Sequence, residues 1–427
     1  MYLKLSVRNA LRSGRDYLIY TVTLTVLTAV MALSGMVSAV GGRAGYETAS
    51  LPLLVTLIMV VLMRYVNRFI LRQRAREFAC YLLLGMGRRQ LAGMFFLEAF
   101  LIGCACFAVG MPLGLGVGAW GIGLLLPGAA TASAALGAAA ETGGYFLVIS
   151  VFSLLGTAGM VRRLEVRELM QEERRNLSQG RGSGRGWAAV AGASALVLAA
   201  LLAGIALLPD GSGDMLVSLV SLPLLTLAVS FYRAAYALGN ARRRAGRLPA
   251  GDRLYLMGQY LAGGASGALM NSVLFLCLAF CAAAFLFGGV MLMPGHTWME
   301  PGTQRWMGFL QLCVCVIFGV LYFTVLSLRR VVEVQRERRG IRILRRLGKS
   351  EGQIRLLLAR QVGLTFSSPL VLFLPLLAAA VPLVGYKLGD PLLLWRLCGV
   401  FLAGFAILYG AYGWLVLQMS ARAVREP

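Results

Sequence analysis

The chain has 427 residues, of which 59% are hydrophobic and only 14% charged, against about 25% charged in an average soluble protein. Its mean hydropathy of +0.75 excludes a disordered chain, a coiled-coil rod and an ordinary soluble enzyme. A formal net charge of +23, from 41 basic against 18 acidic residues, would suit a phosphate-rich partner if the charges formed one patch. They sit instead between long apolar runs, so they read as topology signals, and no nucleic-acid partner is expected.

The chain opens on an amphipathic, basic stretch, Met1 to Arg15, and the apolar run behind it is too long for a signal-peptide core. About 20 apolar residues of helix cross a bilayer. Such runs occur at roughly 17–39, 51–70, 92–115, 144–161, 187–208, 216–237, 268–293, 308–328, 362–384 and 395–418. The Gly- and Ala-rich stretch from Gly116 to Gly143 is ambiguous, a re-entrant or interfacial piece rather than a further span. The expected fold is therefore an all-α polytopic membrane protein of about ten spans.

If the N-terminus is cytoplasmic and the spans alternate, only Arg43, Arg305, Lys387 and Arg396 of the 41 basic residues fall on the outer side. The inverted orientation would violate the positive-inside rule, and an even number of spans puts both termini inside. The longest clear outer loop, Pro294 to Gln304, is far shorter than the ~50 residues a folded domain needs. The cytoplasmic segments, about 71–91, 162–186, 238–267 and 329–361, are longer, and the second is a Gly/Ser/Arg linker.

Little in the chain supports chemistry of its own. The eight cysteines lack CxxC spacing and read as small buried hydrophobes, so no metal site is expected. The single histidine, His296, has no partners for a triad. Gly348, Lys349 and Ser350 spell a GKS triplet, but Ile343 stands where a Walker A loop needs glycine, so the chain is not expected to bind nucleotide or act as an enzyme. The spans hold almost no Asp, Glu or His for ion-coupled transport. Glu98 is the exception, and a nearby Arg64, Arg68 or Arg88 would pair with it.

Two cytoplasmic segments repeat one pattern. A shift of 263 positions carries Arg76–Ala99 onto Arg339–Val362, aligning Phe78 with Ile341, Tyr81 with Leu344, Gly85 with Gly348, Gln90 with Gln353 and Glu98 with Gln361. Each links the second to the third span of a four-span set, and each set begins with an amphipathic stretch, Met1 to Leu18 and Asp252 to Leu269. The plan is four spans, two linking spans and four spans, with two pseudo-symmetric halves. Its boundaries are 1–170 for the first half, 171–251 for the linker and central spans, and 252–427 for the second half. Phe78, Tyr81, Leu82 and Gly85 lie on one helical face, and the glycines suit a sharp C-terminal turn. Such a helix is built to dock in a partner's groove, with Phe78 and Tyr81 as anchors and Ile341 and Leu344 as their counterparts. On the outer side Trp298, Trp306, Tyr386 and Trp395 form a candidate substrate-facing rim, with Met291, Met293 and Met299 beside it.

Arg76, Glu77, Phe78, Gly85, Phe95 or Phe96, Glu98 and Ala99 resemble the FtsX-like/MacB-type permease family of ABC transporters. The N-terminus, MYLKLSVRNALRSGRDYLIYTVTLTV, and the four–two–four layout resemble its bacitracin-export, BceB-type branch, without that branch's large extracellular domain. The resemblance implies a permease in a bacterial plasma membrane that exports or extracts an amphiphilic substrate, an antimicrobial peptide or a lipid-linked molecule. It implies two copies of a separate ABC ATPase, with ATP and Mg held by that partner and no cofactor in this chain. Membrane lipid and a sensor kinase or other membrane protein are further implied partners, and a non-transporting scaffold that relays ATPase state is the alternative. Residues 77–90 and 340–353 would be the coupling helices, carried by Glu77, Phe78, Tyr81, Leu82, Gly85, Met86, Arg88, Ile341, Leu344, Gly348 and Lys349.

Overall fold

The computed structural model describes residues 14–43, 50–73, 75–125, 131–162, 184–207, 219–246, 251–261, 264–293, 300–346, 348–388 and 390–425. All the regular structure among them is helical. The helices are α1 (Gly14–Arg43), α2 (Ser50–Gln73), α3 (Ala75–Leu83), α4 (Arg88–Leu125), α5 (Ala132–Arg162), α6 (Gly184–Leu207), α7 (Ser221–Arg244), α8 (Asp252–Leu261), α9 (Gly264–Leu292), α10 (Pro301–Arg346), α11 (Glu351–Leu388) and α12 (Pro391–Arg425). Nine of them among the described residues are long and apolar enough to cross a membrane. The protein is an all-α, multi-pass membrane protein.

The run at 51–70 lies within one continuous helix, α2, where Asn67 is buried, donating to Ser153 Oγ of α5 at 2.8 Å. One expectation needs adjustment. The stretch from Gly116 to Gly143 is not re-entrant. It is the end of α4 and the start of α5, both helical, with residues 126–130 outside the described part. At 38 residues, α4 is about 57 Å long, well beyond a bilayer core.

The chain divides into two compact units, residues 1–176 with 323–331, and residues 177–322 with 332–427. In the first, α1 forms the core: 72% of its apolar window is buried, against 22% for α5. Small residues on α4 let it approach. A Cβ on Gly110 would sit 2.0 Å from Thr28 Oγ1, and one on Gly114 2.1 Å from the Ala29 carbonyl. Thr28 Oγ1 reaches the Cys106 carbonyl of α4 at 3.3 Å in the same seam. Backbones this close gain dispersion contact that lipid tails cannot match.

In the second unit α6 and α7 pair, with the Arg233 guanidinium 4.7 Å over the Trp187 ring. Their apolar cluster of Ala191, Leu198 and Leu227 packs on Leu372 and Leu376 of α11. Helices α9 and α10 cross at glycines: a Cβ on Gly288 would lie 2.9 Å from the Gly308 carbonyl. Helix α11 contains Pro369, Pro375 and Pro382. A helical proline strands the carbonyl four residues earlier; for Pro369 that is Thr365, and Ser368 Oγ lies 2.9 Å from its carbonyl oxygen. Two nearby carbonyls also take side-chain donors, Phe366 from Tyr409 and Ser368 from Tyr232 at 3.0 Å. Asn271 of α9 ties this stretch of α11 to α8. It accepts from Ser368 Oγ at 2.9 Å and donates to the Tyr260 hydroxyl at 2.8 Å.

Candidate functional site: two helix–glycine–helix elbows

The repeated segments fold into the same local structure, one elbow in each unit. In the first, α3 stops, the chain turns through Gly85, and α4 begins. In the second, α10 stops, the chain turns through Gly348, and α11 begins. Gly85 has φ +91° and Gly348 φ +81°, left-handed conformations that side chains resist. Nothing lies within 4 Å of a Cβ built at either position, so conformation rather than crowding calls for glycine.

The hydrogen bonds repeat position by position. The Met86 N–H reaches the Tyr81 carbonyl at 3.0 Å and the Gly85 N–H the Leu82 carbonyl at 3.2 Å. At the shifted positions, the Lys349 N–H reaches the Leu344 carbonyl at 3.2 Å and the Gly348 N–H the Arg345 carbonyl at 3.0 Å. Both pairs form the six-to-one and five-to-two bonds of a Schellman cap. The next helix starts identically. Gln90 Oε1 accepts from the Gly87 N–H at 3.2 Å, and Gln353 Oε1 from the Ser350 N–H at 3.3 Å, half of a capping box in each case. Ser350 Oγ completes the second box by accepting from the Gln353 N–H at 3.4 Å. The inner faces match too: Leu91, Met94, Phe95 and Glu98 are buried in the first elbow, and Ile354, Leu357, Leu358 and Gln361 in the second.

The expected docking face is oriented differently from the sequence reading. Phe78 is 1% exposed, its ring edge-on to Phe95 of α4 at 5.5 Å and 72°. It holds α3 against α4 rather than facing a partner, because α4 itself covers the apolar face. Leu344 is also buried, within a cluster of Leu256, Ile354, Leu357 and Leu358. The side chain of Ile341 lies outside the described residues. Tyr81, Leu82 and Met86 are half-buried, whereas Glu77, Gly85, Arg88 and Gly348 are exposed. The most exposed large apolar side chains at the first elbow are ones the sequence reading did not single out: Leu83 at 66% and Leu84 at 83%.

The second elbow is braced by α8. Leu256 enters the buried cluster with Tyr255 beside it, and Asp252 at the start of α8 pairs with Lys349. Lys349 and Ser350 of the GKS triplet are thus engaged in ion pairing and helix capping. Glu351 sits between Arg345 and Arg355, each 3.9 Å away. Such partly exposed pairs add little stability and chiefly set the charge pattern. Asp252 was legible only as the first residue of an amphipathic stretch; its pairing was not.

Trp298 and His296 lie outside the described residues. Trp306 is only 8% exposed, turned toward Phe309, so it does not stand on a rim, while Trp395 at 49% and Tyr386 at 74% face outward. Among the described residues no group of three or more His, Cys, Asp or Glu could hold a metal.

An all-α bundle of apolar helices long enough to cross a bilayer defines a multi-pass membrane protein. Residues 49–166 match the family FtsX-like permease C-terminal, so an FtsX-like permease domain spans α2 to α5 and contains the whole first elbow. No curated protein matches the chain.

Proposed function

We propose that the chain is the membrane subunit of an ABC transporter, oriented by its arginines with both termini and both elbows cytoplasmic, in a bacterial plasma membrane. One ABC ATPase subunit docks at each elbow, and ATP with its Mg is bound and hydrolysed there. The chain itself contributes no nucleotide site. The observation that carries this reading is the pair of elbows built on one hydrogen-bond pattern, the first of them inside an FtsX-like permease domain. Two rigid, repeated projections at the ends of long spans suit transmission of a partner's movement into the membrane.

The substrate is amphiphilic, a membrane-bound peptide or a lipid-linked molecule. The spans offer few charges to line an aqueous path, and exposed Trp395 and Tyr386 suit a molecule arriving through the bilayer. The test is ATPase activity of the complex in nanodiscs, titrated with lipids, amphiphilic peptides and hydrophilic solutes. Stimulation by amphiphiles supports the reading. Stimulation by hydrophilic solutes alone, or nucleotide hydrolysis by the isolated chain, contradicts it.

A further inference from the structure

The two elbows share a backbone but not a surface. At the position where the first elbow exposes Leu83 at 66%, the second exposes Arg346. Half-buried Met86 corresponds to Lys349, exposed Arg88 to Glu351, and buried Ala92 to exposed Arg355. Leu84, 83% exposed, corresponds in sequence to Leu347, so the contrast lies in the residues around that leucine.

Each surface implies its own seat. The tip of the first elbow is apolar, Leu83 and Leu84, with exposed Arg88 and Arg89 after the turn. Its complement is an apolar pocket. The second elbow has already satisfied most of its charge within the chain: Lys349 with Asp252, and Glu351 with Arg345 and Arg355. It offers Arg346 to water where the first offers Leu83. A pocket that encloses Leu83 would have to desolvate the Arg346 guanidinium at the other elbow, which a partner tolerates only with a paired acid.

Resting on the proposed docking of an ABC ATPase, we infer that the two elbows are unequal seats. The first is the tight anchor, holding an ATPase subunit through Leu83 and Leu84 in an apolar groove. The second is a shallow, polar and salt-sensitive contact. The ATPase therefore loads in two steps, the first elbow first.

The test uses the full chain in nanodiscs and the ABC ATPase subunit that co-purifies with it from its native host, titrated by mass photometry. The expected result is two binding steps at least about tenfold apart in dissociation constant, with only the weaker one falling as salt is raised. Leu83→Arg with Arg88→Glu gives the first elbow the chemistry of the second and removes the tight step, an effect of about thirtyfold. Arg346→Leu with Glu351→Arg makes the reverse exchange and tightens the weak step, a gain of affinity that misfolding cannot produce. Two equal steps in the unaltered chain, or a tight step that survives Leu83→Arg with Arg88→Glu, overturn the inference while leaving the docking itself intact. Absence of any ATPase on the unaltered chain overturns the proposed function, and this inference with it.

Discussion

Phe78 and Leu84 lie six residues apart in one elbow, and their truncation is expected to do opposite things. The Phe78 ring is 1% exposed and packs edge-on to Phe95. Phe78→Ala removes a buried aromatic at a cost of about 3–5 kcal/mol, of which about 0.5–1.5 kcal/mol is the ring–ring geometry. Helix α3 has nine residues, too few to persist without tertiary contact. The loss therefore falls on the local equilibrium that docks α3 on α4. At ~1.4 kcal/mol per decade, amide exchange across residues 75–87 should accelerate about 100-fold to 4,000-fold, while the long spans remain protected. Leu84→Ala touches a side chain that is 83% exposed. It should change exchange negligibly, within about 0.5 kcal/mol, yet weaken ATPase binding. Hydrogen exchange read by mass spectrometry in nanodiscs, alongside ATPase co-purification, separates the two. If Phe78→Ala leaves exchange in 75–87 unchanged and still abolishes ATPase binding, the ring is a docking side chain and the inward assignment is wrong.

Gly85→Ala and Gly348→Ala should each cost about 1–2 kcal/mol from the left-handed backbone alone, with asparagine milder at both sites; equal thermal stability for the Ala and Gly forms would show that the turns relax. Gly110→Leu should break the α1–α4 seam, since even a Cβ there would sit 2.0 Å from Thr28 Oγ1, and a correctly folded monodisperse protein on size exclusion would contradict that packing. Ser368→Ala should cost about 1 kcal/mol in the membrane by removing the hydroxyl beside the Thr365 carbonyl that Pro369 strands. That cost should shrink in a Pro369→Ala background, which restores a backbone N–H for Thr365, and a thermal-melt double-mutant cycle with no coupling would count against that role for Ser368.

Much of the fold was legible because a bilayer imposes a simple demand: long apolar runs must become helices with their backbone groups satisfied internally. The runs at 17–39, 92–115 and 362–384 needed no other information. Length was harder, since hydropathy reports where a helix is apolar rather than where it ends; the Gly-rich continuation of α4 beyond Gly116 looked like a break and is helix. The elbows were legible from the alignment of Gly85 with Gly348 and Gln90 with Gln353, residue types that each do one job in a cap. The direction of the helix face was not. Periodicity marks Phe78 as apolar-facing but cannot say whether the covering surface is a partner or the chain's own α4, and Phe95 supplies that cover seventeen residues further on. Trp306 shows the same limit, because an aromatic near a span end reads as an interface anchor from sequence and is only 8% exposed in the fold.

The most direct test of the docking claim is a photo-crosslinking amino acid placed at Leu84, the most exposed large apolar side chain of the first elbow at 83%. The control places the same amino acid at Ile407, an apolar side chain 72% exposed along the α12 span. After irradiation in cells, mass spectrometry should identify an ABC ATPase subunit joined to the Leu84 site and absent from the Ile407 site. Crosslinks from Leu84 only to lipid or to proteins without a nucleotide-binding fold would contradict the account.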